Sequence, residues 1–233
     1  MIIAIIPARG GSKRIPRKNI REFCGQPMIT YSIKAALETG LFDRVIVSTD
    51  DLEIAQVSNA FGAETPFLRP AELSDDYTGT AAVVRHTIKW MNKKNTPVDV
   101  VCCLYATVPF VQIKYLKQGY NFLINSGKKY AFSVTTFPFP IQRALKIRPD
   151  GSLVPFQPEC IPMRSQDLEE AFHDAGQFYW GKAEAFLEDI PVFSSASVPV
   201  VLPRYLVQDV DTLEDWKRAE VMFRVLQEKG LCR

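Results

Sequence analysis

The sequence predicts an α/β fold built on a mostly parallel, doubly wound sheet. Residues 2–6 are a continuous apolar run, typical of a strand that is covered on both faces in a parallel sheet. Strand and helix patterns then alternate, which indicates helices on both faces of the sheet. At 233 residues and 47% hydrophobic residues, the chain suits one domain covering residues 1–233.

The first strand ends at Pro7, and the next elements follow in order. A helical pattern opens at Pro27 and stops at Gly40, a residue suited to a left-handed C-cap. Further helices are predicted over residues 51–61, 79–94 and 113–125, and further strands over residues 45–47, 99–105 and 131–135.

The second half of the chain is richer in proline than the first. Frequent prolines between Phe137 and Pro203 predict an inserted lobe over roughly residues 137–170, which covers a site or contacts a second subunit. Short strands are expected in it at residues 144–147 and 153–156. The core resumes with a strand at residues 177–180 and a helix over residues 213–229, which Asp211 or Thr212 can cap.

The sequence gives no support to several other classes of protein. A net charge of +2 gives no indication of nucleic-acid binding, which requires a surplus of Lys and Arg over one face. The N-terminal apolar run is too short for a membrane span or the core of a signal peptide. The irregularly spaced cysteines indicate buried thiols in a reducing compartment, so a cytoplasmic protein is expected. They are Cys24, Cys102, Cys103, Cys160 and Cys232.

The strongest chemical signal is the run IPARGGSKRIPRKNI at residues 6–20, directly after the first strand. Its glycines let the backbone approach a ligand, and its cations neutralise phosphate charge, so it predicts a polyphosphate site. Neither G-x-x-x-x-G-K-[ST] nor G-x-G-x-x-G occurs in it, which disfavours kinases and dehydrogenases. Acidic residues gather near the other end of the chain, around residues 209–215.

This run resembles the signature of the CMP-sialic acid synthetases, a branch of the nucleotide-diphospho-sugar transferase fold. The resemblance implies that the CTP phosphates contact Arg9, Lys13, Lys18 and Asn19. The segment RPAEL at residues 69–73, followed by Thr80, resembles the second nucleotide segment of the family, which implies that Arg69 and Thr80 bind the nucleotide.

The segment QDVDT at residues 208–212 resembles the D-x-D metal pair of the family. Alternate side chains of an extended segment point to the same side, so Asp209 and Asp211 can bind one Mg²⁺ whose shell triphosphate oxygens complete. The alternative role for Asp211 is a helix cap.

The sugar site departs from the usual sialic acid pattern. The family's LQPTSP is LYATVP here, so Tyr105 replaces a glutamine that helps to hold sialic acid. Residues 137–145, 164–170 and 173–181 instead resemble the pseudaminic acid cytidylyltransferases. The sugar-binding residues that this implies are Tyr105, Gln142, Arg143, Arg164, Asp174, Gln177 and Tyr179. A surface salt bridge is the alternative for either arginine.

The resemblance implies transfer of CMP from CTP to an acidic nine-carbon sugar, with pseudaminic acid expected. Arg9, Lys18 and Asp211 are the implied catalytic residues, Mg²⁺ the cofactor, and a homodimer the expected assembly. The alternatives are an enzyme for N-acetylneuraminate, legionaminate or a deoxyoctulosonate, and a nucleotide-binding protein that has lost catalysis.

Overall fold

The computed structural model describes residues 1–232. The strands in this part are β1 (Ile2–Pro7), β2 (Glu22–Phe23), β3 (Gln26–Pro27), β4 (Arg44–Ser48), β5 (Val100–Leu104), β6 (Tyr130–Thr136), β7 (Leu145–Ile147), β8 (Leu153–Pro155), β9 (Phe172–Lys182) and β10 (Ser197–Val201). The helices are α1 (Ile29–Thr39), α2 (Leu52–Ala60), α3 (Thr80–Lys93), α4 (Ile113–Asn125), α5 (Ala183–Leu187) and α6 (Leu213–Glu228).

Within the described residues, the main sheet has six strands in the order β10-β6-β9-β5-β1-β4. β1 runs parallel to both β4 and β5, and β10 runs parallel to β6. β9 lies antiparallel between β5 and β6. The sheet is therefore mostly parallel, which confirms the predicted fold class.

Alternate side chains of β1 separate two apolar cores. Ala4 and Ile6 belong to a core shared with α1 and α4, whereas Ile3 and Ile5 belong to a core shared with α3 and α5. Both faces of the sheet are thus covered by helices, as the unbroken apolar run of the first strand predicts.

A third apolar cluster lies beneath α6. Phe23, in the small hairpin of β2 and β3, makes edge-to-face contacts with Trp216 and Phe223, each at a centroid distance of 5.5 Å. The hairpin follows the basic loop directly, so this cluster joins the end of that loop to the C-terminal helix.

Thr212 is the N-cap of α6. Its side chain accepts a hydrogen bond from the Asp215 backbone N–H, and the Asp215 carboxylate accepts one from the Thr212 backbone N–H. Of the two capping residues that the sequence allows, the structure uses Thr212. The Asp211 carboxylate is therefore not the cap and lies just ahead of the helix.

The first helix begins later than predicted. It starts at Ile29 rather than Pro27, because Pro27 pairs with Glu22 in the β2–β3 hairpin. Its predicted end is confirmed, since Gly40 has a φ of 65° and forms the left-handed C-cap.

Two strands of the main sheet differ from the sequence prediction. The strand expected at residues 177–180 is only part of β9, which is 11 residues long. β10 is not predicted, because Pro199 lies in its middle. β10 is an edge strand, and an edge strand tolerates a residue that lacks a backbone N–H.

Between β6 and β9 the chain leaves the main sheet. β7 and β8 pair as an antiparallel hairpin, which confirms the short strands predicted there. Several apolar side chains of this stretch are exposed, among them Phe139 (79%), Ile147 (74%) and Leu153 (62%). Its role in dimerisation or in covering a site stays a prediction.

All five cysteines lie in the described part of the chain and are free thiols. Cys102, Cys103 and Cys232 are buried, but Cys24 and Cys160 are partly exposed, so the prediction of buried thiols is wrong for these two. Both lie outside the main sheet, in the β2–β3 turn and in a 3₁₀ turn after β8. Separately, every helix within residues 1–232 is too short or too polar to span a bilayer.

Candidate active site

A cavity of about 470 Å³ lies at the carboxyl ends of β1 and β5. Its walls come from the loop after β1, the segment before α3 and the residues that follow β5. This is the edge at which parallel α/β sheets bind ligands. The predicted nucleotide-binding residues lining it are Arg9, Lys13, Lys18, Asn19, Arg69 and Thr80.

The basic loop meets the acidic segment beside this cavity, although the two are far apart in the sequence. Lys18 Nζ donates a hydrogen bond to the Val210 carbonyl oxygen at 2.9 Å and lies 3.4 Å from Asp211 Oδ1. Arg14 pairs with the same carboxylate oxygen at 2.9 Å. The two oppositely charged regions therefore form one site.

The carboxylates of Asp209 and Asp211 are close neighbours. Burial raises the pKa of Asp209, the negative charge of Asp211 raises it further, and Lys18 lowers it. A cation between the two groups would relieve their repulsion, and carboxylate oxygens are ligands that Mg²⁺ prefers.

Within residues 1–232, no cluster of three or more His, Cys, Asp or Glu side chains could hold a metal ion. An ion held by the two aspartates alone would need further oxygen ligands from phosphates or water. The residues present therefore fit a Mg²⁺ that is shared with a phosphate-bearing ligand.

The Asp76 carboxylate pairs with two of the cations that are predicted to bind phosphate. Arg9 Nη1 donates to Asp76 Oδ1 at 2.5 Å and to the Asp75 carbonyl oxygen at 3.0 Å. Lys13 forms an ion pair with the other carboxylate oxygen of Asp76. A phosphate that binds Arg9 and Lys13 must therefore compete with this carboxylate.

Two aspartates after β4 hold the basic loop in place. Asp50 Oδ1 accepts a hydrogen bond from the Gly10 backbone N–H at 2.9 Å. Asp51 accepts two from Arg17, at 2.5 and 3.0 Å, and caps α2 through the Ile54 N–H. Arg17 has a φ of 57°, which is uncommon for a non-glycine residue, and its ion pair with Asp51 supports that conformation.

Gly10 approaches Asp51 so closely that a side chain has no room. A Cβ added at Gly10 would lie 2.7 Å from Asp51 Oδ2, and Asp51 is held by Arg17 and by α2. We expect Gly10→Ala to lower the free energy of unfolding, measured by urea denaturation, by about 1–3 kcal/mol.

Gly11→Ala is the matched control, since a Cβ there would meet nothing within 4 Å. Equal losses of stability in the two variants would contradict the proposed contact between Gly10 and Asp51.

Arg69 is buried despite its charge, with a side chain only 3% exposed. Its Nε donates to Ser74 Oγ at 3.2 Å, and one terminal nitrogen lies 3.7 Å from Asp50 Oδ1. Burial lowers the pKa of Arg69, and Asp50 raises it. A guanidinium has five N–H donors, so others remain to bind a polar ligand in the cavity.

Asn19 closes the basic loop. Its side-chain amide donates to the Arg9 carbonyl oxygen at 2.9 Å, and its own carbonyl oxygen accepts from the Ile29 N–H at 2.8 Å. The side chain lines the cavity while holding the two ends of the loop together. Its contact with a phosphate stays a prediction.

A smaller cavity of about 240 Å³ adjoins the first, and Thr80 and Tyr105 line both. The Tyr179 hydroxyl donates to Asp174 Oδ2 at 2.5 Å, and the Thr80 and Tyr105 hydroxyl oxygens are 3.3 Å apart. Three predicted sugar-binding residues, Tyr105, Asp174 and Tyr179, therefore gather beside the larger cavity. The apolar walls of the smaller cavity include Ala81, Val84, Phe186, Val192 and Phe193.

The other four predicted sugar-binding residues line neither cavity in the described part of the chain. Gln177 is buried and donates to the Leu206 carbonyl oxygen at 2.6 Å, which is a contact within the core. Gln142, Arg143 and Arg164 lie in the stretch between β6 and β9. Their hydrogen-bond partners, in that order, are the Glu169 carbonyl oxygen, the Ser165 hydroxyl and the Asp167 carboxylate.

Sequence reasoning misses Asp50, Asp51 and Asp76. The first two could have been found, because they follow the strand predicted at residues 45–47 and so lie at the edge of the sheet where ligands bind. Asp76 carries no such signal, since it contacts Arg9 from 67 positions away.

A mostly parallel sheet with a cationic loop after β1, facing paired aspartates before α6, defines an α/β protein with a charged site at the carboxyl ends of its strands. A family model described as cytidylyltransferase matches residues 3–147. The chain belongs to this family and is thus a nucleotidyltransferase, which confirms the family and enzyme class that the sequence predicts.

Known proteins agree with this assignment. The chain is 46% identical over 228 residues to a Campylobacter jejuni protein named pseudaminic acid cytidylyltransferase, covering 98% of each. It is 30% identical to a Legionella pneumophila protein named CMP-N,N'-diacetyllegionaminic acid synthase, covering 97% of this chain and 98% of the relative.

A solved structure of CMP:2-keto-3-deoxy-manno-octonic acid synthetase complexed with CTP matches with a TM-score of 0.67 at 19% identity. The match covers 97% of this chain and 99% of the other. At this identity the likeness supports the fold, which agrees with the nucleotide-diphospho-sugar transferase type that the sequence predicts.

Proposed function

We propose that this protein transfers CMP from CTP to pseudaminic acid and releases pyrophosphate. The observation that carries the proposal is the cavity lined by Arg9, Lys13 and Lys18, beside which Lys18 contacts Asp211. The choice of sugar is supported by 46% identity to the C. jejuni relative and by Tyr105, which stands where a sialic acid enzyme has glutamine.

The proposed reaction is attack by the sugar's anomeric C2 hydroxyl oxygen on the α-phosphorus of CTP. The new bond joins this oxygen to phosphorus, the bond between the α-phosphorus and the pyrophosphate oxygen breaks, and the hydroxyl proton is released to water. Because the sugar supplies the nucleophile, the protein has to align two substrates and balance the charge on the phosphates. We assign the second task to Arg9 and Lys18, because both line the cavity.

We propose Mg²⁺ as the cofactor, held by Asp209 and Asp211. When bound, the ion supplies positive charge to phosphate oxygens. Lys18 and Arg14 contact Asp211 from the basic loop, so the same contacts that orient this carboxylate also bring the cations toward the phosphates.

Pyrophosphate release tests the proposal. The protein is incubated with CTP, Mg²⁺ and one of four sugars, namely pseudaminic acid, N-acetylneuraminate, N,N'-diacetyllegionaminate or a deoxyoctulosonate. The highest kcat/KM is expected with pseudaminic acid. A preference for another sugar would reject the proposed acceptor and keep the reaction type, whereas tight CTP binding without release from any sugar would favour a catalytically inactive nucleotide-binding protein.

Substitution of Asp76 is expected to strengthen CTP binding, whereas most substitutions in the site are expected to weaken it. Asp76→Asn keeps the size of the side chain but removes the charge that competes with phosphate for Arg9 and Lys13. We expect CTP to bind several-fold more tightly to Asp76→Asn by calorimetry, because one ion pair contributes on the order of 1 kcal/mol. Weaker binding would indicate that Asp76 helps to hold the nucleotide instead.

We also propose a homodimer in the cytoplasm. The exposed apolar side chains between β6 and β9, such as Phe139 and Ile147, support a subunit contact there. The free thiols support a reducing compartment. Sedimentation at micromolar concentration should give twice the chain mass, and a single-chain mass would contradict the dimer.

A further inference from the structure

β9 contains a bulge beside the smaller cavity. In a regular strand, residues five apart lie about 16 Å from each other and point to opposite faces. Here Tyr179 pairs with Phe132 while Asp174 pairs with Val134, so a five-residue step on β9 matches a two-residue step on β6. The extra residues bring the Asp174 carboxylate to 2.5 Å from the Tyr179 hydroxyl.

Specific contacts build this bulge. Gly176 has a φ of 61°, and its N–H donates to Asp174 Oδ1 at 2.9 Å. The buried hydroxyl oxygen of Ser133 accepts hydrogen bonds from the backbone N–H groups of Gln177 and Phe178, at 3.2 and 3.1 Å. The polar backbone groups are therefore satisfied, and the position of Asp174 relative to Tyr179 is fixed.

The hydrogen bond between Asp174 and Tyr179 has a defined donor and acceptor. A carboxylate only accepts, so Tyr179 donates its one proton to Asp174 and can only accept from its neighbours. The ring of Tyr105 lies 5.4 Å from that of Tyr179. Burial raises the pKa of Tyr179, and the nearby Tyr105 and Asp174 raise it further, so the phenol keeps its proton.

The same direction extends to the larger cavity. The Tyr105 hydroxyl interacts with the Tyr179 hydroxyl, and Tyr105 is the donor because Tyr179 gives its one proton to Asp174. The Tyr105 oxygen then accepts from the Thr80 hydroxyl, 3.3 Å away. Thr80 Oγ1 then has only lone pairs left to offer a ligand. Because Thr80 lines both cavities, these lone pairs lie at the boundary between them.

We propose that Asp174 is a positioning residue whose carboxylate orients the hydroxyl groups of Tyr179, Tyr105 and Thr80, so that the boundary between the cavities accepts a hydrogen bond from the acid sugar. The recognised group is a hydroxyl or an acylamino N–H. The inference rests on the proposed function. It assigns Tyr105, the residue that departs from the sialic acid pattern, an indirect role in selecting the sugar.

Three variants test the chain of hydroxyl groups, namely Tyr105→Phe, Tyr179→Phe and Asp174→Asn. Each is expected to raise KM for pseudaminic acid about tenfold, the value of one hydrogen bond. CTP affinity measured without sugar should stay unchanged in Tyr179→Phe and Asp174→Asn. The double variant Tyr105→Phe/Tyr179→Phe should have a KM no higher than that of the more impaired single variant, because one substitution already interrupts the chain of hydroxyl groups.

Tyr130→Phe is the matched control. Tyr130 is also buried, lies on neighbouring β6 and donates to the Ile190 carbonyl oxygen at 2.9 Å, away from this chain. Its loss should leave KM for the sugar unchanged. Additive losses in the double variant, or an equal effect of Tyr130→Phe, would overturn the inference.

A second measurement is independent of turnover. In protein labelled with ¹³C at tyrosine Cζ, the Tyr105 resonance, identified by its absence in Tyr105→Phe, should shift in Asp174→Asn and stay in place in Tyr130→Phe. An unmoved Tyr105 resonance in Asp174→Asn would overturn the inference. Failure of the unmodified protein to use any acid sugar would instead defeat the proposed function, and the resonance would still decide whether the chain exists.

Discussion

Replacing Lys18 with methionine is expected to lower kcat/KM for CTP about 100-fold or more, the effect of removing one group that stabilises developing charge. Lys18 is 21% exposed, and its ammonium group lies between the larger cavity and Asp211. The substitution removes a cation from the phosphates and also leaves Asp211 with less positive charge beside it. Both effects destabilise the transition state more than they destabilise the folded protein.

Arg21→Gln is a suitable control for Lys18→Met, because it removes one positive charge from the same stretch of chain. Arg21 lies over the Trp216 ring at 5.3 Å and does not line the cavity. Steady-state pyrophosphate release should fall sharply only for Lys18→Met. A similar fall in both variants would show that net charge, rather than the position of Lys18, governs the rate.

Asp211→Asn should have the second large effect, a loss of about 100-fold or more in turnover with little loss of stability. The variant keeps the shape of the side chain but removes one of the two carboxylates proposed to hold Mg²⁺. Thermal unfolding should be nearly unchanged, because Thr212 and not Asp211 caps α6. Calorimetry should show that Mg²⁺ strengthens CTP binding to the unmodified protein but not to Asp211→Asn.

Glu214→Gln is the matched control for Asp211→Asn. It removes one negative charge three positions away, in the first turn of α6. Turnover and the Mg²⁺ dependence of CTP binding should remain as in the unmodified protein. An active Asp211→Asn enzyme that still responds to Mg²⁺ would refute the assignment of this aspartate to the metal.

The sheet could be predicted wherever a strand buries both faces. Residues 2–6 are apolar throughout because one core lies on each side of β1. β10 could not be predicted, because an edge strand with Pro199 has neither an unbroken apolar run nor a clean alternation.

The candidate site could be predicted where its charges are local in the sequence. The basic loop has its cations and glycines in fifteen consecutive positions, residues 6–20, and in the structure this loop lines a cavity. Asp76 could not be found in this way, because its contact with Arg9 depends on how a distant loop folds over the sheet.

The side chains of β9 that face the smaller cavity could not be predicted either, because they depend on the bulge in this strand. Asp174, Gln177 and Tyr179 stand within six consecutive positions and look equally suited to a polar ligand. The bulge places Asp174 and Tyr179 at a cavity but turns Gln177 toward Leu206 in the core. A shift in strand register decides which side chains are presented, and the residue types do not reveal it.

A crystal structure with CTP and Mg²⁺ would test most directly whether the basic loop binds a triphosphate. The phosphates should lie against Arg9, Lys13 and Lys18, with Asp76 displaced and Mg²⁺ bound by Asp209 and Asp211. A nucleotide bound elsewhere, with both aspartates turned away from it, would contradict the proposed site.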